Sequence, residues 1–170
     1  MRSTDELGDG VYIVFMHIFD KPVQHKGRAS RITEQCGSHL NHSGPRKKEA
    51  HDIIPGFERM GDEIIEQIGG PIDAFCDSVG TAGSLLGVRE AFHKAGQNTK
   101  IVALEPASSP IMTEGRRGGH KVEGIGLGFI VPHLEGEPYD EARAIEESVA
   151  RETAVRLARE EGIFAGTSSG

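Results

Sequence analysis

Tryptophan is absent from this 170-residue sequence, aromatic residues make up only 5 %, and cysteine occurs twice. Few aromatics leave little to stack on bases, and a net charge of −7 repels a phosphodiester backbone, so nucleic acid is not an expected partner. The one basic cluster, Arg46, Lys47 and Lys48, reads as a solvated loop. Cys36 and Cys76 form no CxxC pair, which excludes a disulfide framework and points to a reducing cytoplasm. No long hydrophobic run is present. Val11 to Phe19, "VYIVFMHIF", is too short to cross a bilayer, and Asp5, Glu6 and Asp9 stand where a secretory leader would be basic. It reads as a buried strand, with no membrane partner.

What is abundant is glycine, with 23 residues against 8 prolines. Many tight turns between regular elements, in a chain of one-domain length, suit an α/β or α+β protein. The order is uneven. Residues 1–55 offer one strand-like run and then a polar stretch without helical or alternating period, so they read as a divergent or poorly ordered segment. Within it, Cys36, His39 and His42 lie at C-x2-H-x2-H, flanked by His25 and His51, but the spacing matches no common zinc module and no metal site is assigned.

From residue 56 the pattern sharpens. Phe57, Met60, Ile64, Ile65 and Ile68 line one face of a helix, which Gly69, Gly70 and Pro71 stop. Ile72 to Val79 reads as a strand interrupted by polar residues. A helix burying Leu85, Val88 and Phe92 follows and ends at Gly96, and Ile101 to Leu104 supplies the next strand. Strand, turn, helix and strand over residues 72–104 make a βαβ crossover and imply a parallel sheet covered by helices. Ser148 to Gly162 has the makeup of a helix, and composition alone extends it back to Asp140.

Ligands of such sheets sit beyond the carboxyl ends of the strands, where "VGTAGSLLGV", Val79 to Val88, opens a helix. Small residues there expose backbone N–H groups to an anion. No lysine stands between Pro71 and Lys94, so a Walker turn is excluded. A dinucleotide turn fits poorly, although Glu105 ends the next strand where a ribose-binding acid belongs; a nucleotide-binding α/β domain stays open as an alternative.

Three stretches carry a resemblance. "GGPIDAFCDSVGTAGSLLGV", "LEPASSPIMTEGRRGGHKVEGIGLGFIVP" and "AVRLAREEGIFAGTSSG" resemble, in order and spacing, "iDaFvxgvGTGGTxxGv", "vEPxxSPvLxgGxxGxHxIxGIGaGFiP" and "arrLareeGilxGiSSG" of the cysteine synthase (O-acetylserine sulfhydrylase) and cystathionine β-synthase enzymes. Coverage runs from about Ile64 to Gly170. The resemblance implies a three-layer α/β fold, a mostly parallel sheet with helices on both faces, as part of the large domain of the tryptophan-synthase-β-like fold. It implies pyridoxal 5'-phosphate as cofactor, and cysteine biosynthesis by β-elimination and replacement on a small amino acid such as O-acetylserine.

On matching positions, Gly80, Thr81, Ala82, Gly83 and Ser84 would cradle the cofactor phosphate, with Ala82 in place of a glycine and Ser84 of a threonine. The added methyl of Ala82 is harmless unless the turn needs a positive φ there. Gly124, Ile125 and Gly126 would form the loop approaching cofactor and substrate, and Ser168 would hydrogen-bond the pyridine nitrogen. The resemblance also places a strand at Glu141 to Ile145 and starts the last helix near Glu147.

The family's "SxKDR"-like stretch, whose lysine attaches the cofactor, and its "TSGNTG"-like substrate turn have no counterpart here. Lys121 matches a non-catalytic position, Lys94 and Lys100 flank a helix end, and Lys47 and Lys48 lie in a polar context, so no catalytic residue is assigned. "HIFDKP", His17 to Pro22, only faintly echoes the family's "QFDNPAN". The expectation is a truncated or rearranged product, residues 56–170 forming a partial cofactor-binding domain that is inactive alone and self-associates or forms a homodimer. The alternative of another class is a non-catalytic module for a phosphorylated ligand or a partner protein.

Overall fold

The computed structural model describes the backbone of residues 13–16 and the whole of residues 54–170. Helix α1 (Ile54–Ile68) forms where the apolar spacing predicts it, with Pro55 in the first turn, where a missing N–H leaves no intrahelical bond unmade. Its apolar stripe, including Met60, Ile64, Ile65 and Ile68, packs against the core.

Strands β1 (Ile13–Met16), β2 (Ala74–Ser78), β3 (Lys100–Pro106) and β4 (Glu141–Ile145) form one sheet in that order, every neighbouring pair parallel. Helices α2 (Gly83–Lys94), α3 (Ile111–Glu114) and α4 (Glu147–Glu160) complete the regular structure of the described residues with two short 3-10 turns, Pro132–Leu134 and Thr167–Ser169. The α/β class with a parallel sheet is therefore as expected, and β1 lies inside the run Val11 to Phe19.

The core is built where β2 and β3 meet α2. Phe75 and Phe92 touch edge to face at 5.8 Å, surrounded by Ile72, Leu85, Val88, Ile101 and Ala103, all buried. Helices α1 and α2 approach closely through reciprocal glycines. A Cβ on Gly61 would lie 2.5 Å from that of Ala91, and one on Gly87 would lie 2.3 Å from that of Phe57. Helix α2 ends as predicted at Gly96, whose φ of 70° lets Gln97 N–H reach Phe92 O while its own N–H reaches His93 O. The Gln97 side chain then accepts from Ile72 N–H, tying the helix end to the entry of β2.

Composition and the resemblance disagree before the last helix, and the structure agrees with the resemblance. Helical composition extends the last helix back to Asp140, but residues 141–145 are strand β4, paired with Val102–Pro106, and α4 starts at Glu147. A free edge on β3 offers inter-strand hydrogen bonds that outweigh a weak local preference. The Cys36, His39 and His42 cluster with His25 and His51, the lysines Lys47 and Lys48, and the "HIFDKP" stretch lie outside the described residues.

Candidate cofactor-phosphate site

Strand β2 ends at Ser78, and residues 79–82 turn the chain into α2. Backbone hydrogen bonding from Val79 N–H to Leu104 O holds the start of the turn to the end of β3. Ala82 is the N-cap, at φ 65° and ψ 7°, and its methyl group cannot cap the helix. The N–H groups of the first turn have no acceptors within the helix, so the uncapped end presents donors and the positive end of the helix dipole.

The Ala82 methyl is not harmless, because the turn takes the positive φ that would make it strained. The side chain is buried at 2 % exposure and held in the left-handed region, where a Cβ is unfavourable by about 1 kcal/mol. Packing of the turn against the core maintains it.

Residues 124–126 close over the turn. Gly126 N–H donates to Val79 O at 3.0 Å, and a Cβ on Gly80 would lie 2.4 Å from Gly124 O, so only glycine fits at 80. Two histidines brace the arrangement. His120 donates from Nε2 to Gly126 O at 2.8 Å, and His133 donates from Nδ1 to Thr81 O at 3.2 Å; carbonyls only accept, which fixes the hydrogen on those ring nitrogens. The structure thus brings Gly80, Thr81, Ala82, Gly83 and Ser84 together with Gly124, Ile125 and Gly126. Ser168 lies in the turn Thr167–Ser169, which packs on α4, where a Cβ on Gly170 would meet Ala150 O at 1.9 Å.

Asp77 was not among the residues expected here. It is 3 % exposed, and Ser84 Oγ donates to its Oδ2 at 2.5 Å. Burial pushes its carboxyl up to about 7, against the smaller opposing effect of the hydrogen bonds from Ser84 and from the backbone at Ser78. A charged residue in an otherwise apolar strand beside a phosphate-type turn was the available signal.

Glu105 has a structural duty in place of a ribose. It is 2 % exposed and accepts from Met112 N–H, Thr113 N–H and the Thr113 hydroxyl at 2.7 to 2.8 Å, capping α3 with both oxygens.

The donor set, small residues at an uncapped helix end under a glycine loop, is fit for a phosphate ester. The sequence matches the family model of pyridoxal-phosphate dependent enzymes over residues 5–170. The chain belongs to that family. Among relatives, it is 42 % identical to a cysteine synthase of Staphylococcus aureus (strain N315) over 127 residues, 74 % of this chain and 39 % of that protein. It is 43 % identical to a probable cysteine synthase of Bacillus subtilis (strain 168) over 141 residues, 83 % of this chain and 43 % of the relative. A crystal structure of cysteine synthase from Entamoeba histolytica superposes with a TM-score of 0.66 at 32 % identity, covering 69 % of this chain and 35 % of that one. O-ureido-L-serine synthase superposes at 0.63 with 30 % identity, over 69 % of this chain and 39 % of that enzyme. The chain therefore spans about two fifths of the length of the curated relatives it matches.

As a pyridoxal-phosphate family member, the chain keeps two of its described lysines in ion pairs. Lys94 is paired with Glu58 and Glu90, and Lys100 with Glu141. Lys121 is exposed, and its backbone N–H donates to Glu147. Among the described residues no helix is long and apolar enough to cross a membrane, and no group of His, Cys, Asp and Glu could hold a metal ion.

Proposed function

We propose that residues 56–170, joined in the sheet by strand β1 from the preceding segment, form the cofactor-phosphate half of a cysteine-synthase-like active site. The observation that carries this reading is the uncapped turn at residues 80–84 lying under the 124–126 loop. The backbone N–H groups of that turn hold the phosphate ester of pyridoxal 5'-phosphate, and the Thr81 hydroxyl, on an exposed residue, adds a donor. Ser168 hydrogen-bonds the pyridine nitrogen; a hydroxyl keeps that nitrogen less protonated than a carboxylate would. The glycine loop, braced by His120, excludes water from the cofactor face.

Bound pyridoxal phosphate supplies an electron-withdrawing ring that stabilises charge at the α-carbon of an amino acid. In a complete relative this serves loss of a β-substituent, as from O-acetylserine, and its replacement by sulfide. This chain lacks a recognisable attachment lysine, so it binds the cofactor through its phosphate and does not turn over alone. The pairing of Lys94 and Lys100 with carboxylates gives one specific ground for a second reading, a non-catalytic module for a phosphorylated ligand.

The test is to add pyridoxal phosphate to the purified chain, reduce with borohydride and map any modified lysine by peptide mass. The expected result is binding that inorganic phosphate competes away, without stoichiometric labelling of one lysine. Labelling of a single lysine at one equivalent would make the chain a more complete enzyme than proposed. No phosphate-competable binding would remove the site.

A further inference from the structure

Asp77 is buried near the end of β2, just before the turn into α2, and among the described residues its side-chain partner is Ser84 of that turn. Ser84 belongs to the first turn of α2, the helix end proposed to hold the phosphate, and its hydroxyl hydrogen is given to Asp77. An ionised Asp77 therefore has two effects on an incoming anion. It keeps the Ser84 hydrogen from the ligand, and it sets a second negative charge behind the same hydroxyl in a setting where water screens little.

A proton on Asp77 removes both effects. The carboxyl can then donate to Ser84 Oγ, and Ser84 can turn its own hydrogen toward the anion, with the added proton drawn from solvent. We propose that Asp77 is a specificity-determining residue of the 80–84 turn, admitting a tetrahedral dianion together with one proton bound at its own carboxyl. The proposal rests on the reading of this turn as an anion site. It adds that the site selects for total charge, which a turn made only of small residues would not do.

The neighbours of Asp77 leave it as the group that takes up the proton. In the sheet it sits opposite Ala103 of β3 and Met16 of β1, and among the described residues no ion pair reaches it. Cys76 follows the alternation of the strand to the other face, toward the side where Arg143, Glu141 and Lys100 act on it. From β3, Glu105 lines the same cavity as Gly80 and Gly126, with both oxygens held by Met112 and Thr113, and from the covering loops His133 reaches Thr81 O and His120 reaches Gly126 O. Both imidazoles touch the backbone around the turn, and variants of both serve as controls. The raised titration of the buried Asp77 carboxyl places the change near neutral pH.

Sulfate is the probe, because it stays a dianion across the whole range and any pH dependence belongs to the protein. Binding to the full chain is measured by calorimetry near pH 6 and pH 8, in buffers of different ionisation enthalpy. The wild-type chain should bind sulfate about tenfold more tightly near pH 6, with uptake of close to one proton near pH 8. Asp77→Asn should bind near pH 8 as tightly as the wild type does near pH 6, with no pH dependence. A pH dependence kept by Asp77→Asn and lost by His133→Gln or His120→Gln would overturn the proposal. So would equal wild-type affinity at both pH values, and in either case the anion site itself would stand. No sulfate binding by any protein at either pH would remove the site and the proposal together. A measurement needing no variant is the carboxyl-carbon NMR titration of Asp77, whose midpoint should rise on adding sulfate; an unmoved midpoint overturns the proposal.

Discussion

The two helix-bearing ends of the described chain are built differently. Around α2, every large apolar side chain facing β2 and β3 is covered: Phe75, Leu85, Val88 and Phe92 are each 2 % exposed or less. Around α4, Val149 and Val155 are about half exposed, and beyond it Ile163 is 54 % and Phe164 91 % exposed. The 124–130 loop shows the same contrast, with Gly126 packed on the turn while Leu127, Phe129 and Ile130 face outward. The α2 end thus contains its own core, whereas at the α4 end Ala150 is buried and the larger Val149, Val155, Ile163 and Phe164 are only partly covered among the described residues. Folding stability should accordingly reside at the first end, and self-association at the second.

The sharpest way to break this contrast is Phe75→Ala. Removing a fully buried ring that meets Phe92 should cost about 4 kcal/mol of stability, read as a lowered urea midpoint. Equal loss from Phe164→Ala would erase the distinction between the two ends.

Of similar size is Asp77→Asn. The folded carboxyl titrates at about 7, above the roughly 3.9 of an unfolded aspartate, so the folded chain holds this proton more tightly than the unfolded one. Stability from this group is complete below about pH 4 and is lost as pH rises through about 7. The asparagine variant should therefore be about 4 kcal/mol more stable than the wild type near pH 8 and about equal to it near pH 4, in denaturant titrations at each pH. A gain independent of pH would refute this account.

A smaller effect is expected of Ala82→Gly. Relief of a Cβ at φ 65° should stabilise the chain by about 1 kcal/mol, a rise in melting temperature of a few degrees. A loss of stability would mean that packing of the buried methyl outweighs the backbone strain. Smallest in stability is Phe164→Ser, expected to change it by less than about 0.5 kcal/mol while reducing self-association in sedimentation velocity. Unchanged association would shift attention to Phe129 and Leu127.

Much of the fold could be read before the structure because local physics and tertiary packing agree there. The three-and-four spacing from Phe57 to Ile68 is both a helix signal and the face that packs. Gly96 is both a breaker and the residue whose positive φ ends α2. The turn at residues 80–84 was legible because small residues before an apolar helical pattern have few other uses. Glu141 to Ile145 was misleading by composition, since Glu, Ala and Arg favour helix and only pairing with β3 makes them a strand.

The site divides along the same line. That residues 80–84 and 124–126 belong together follows from the resemblance, but their contact through Val79 O and Gly126 N–H is a property of the folded chain. The backbone state of Ala82, the duty of Glu105 as a helix cap, and the link from Asp77 to Ser84 could not be read from residue types. Each depends on which face of an element turns inward and on what arrives there from distant sequence. By itself the sequence determined the α/β pattern, the parallel crossover and the glycine-rich turn that opens α2, because periodicity and backbone sterics act over a few residues. Only the tertiary structure decided the strain at Ala82, the capping duty of Glu105 and the raised titration of Asp77. Capping, packing and desolvation come into being only when separate segments meet.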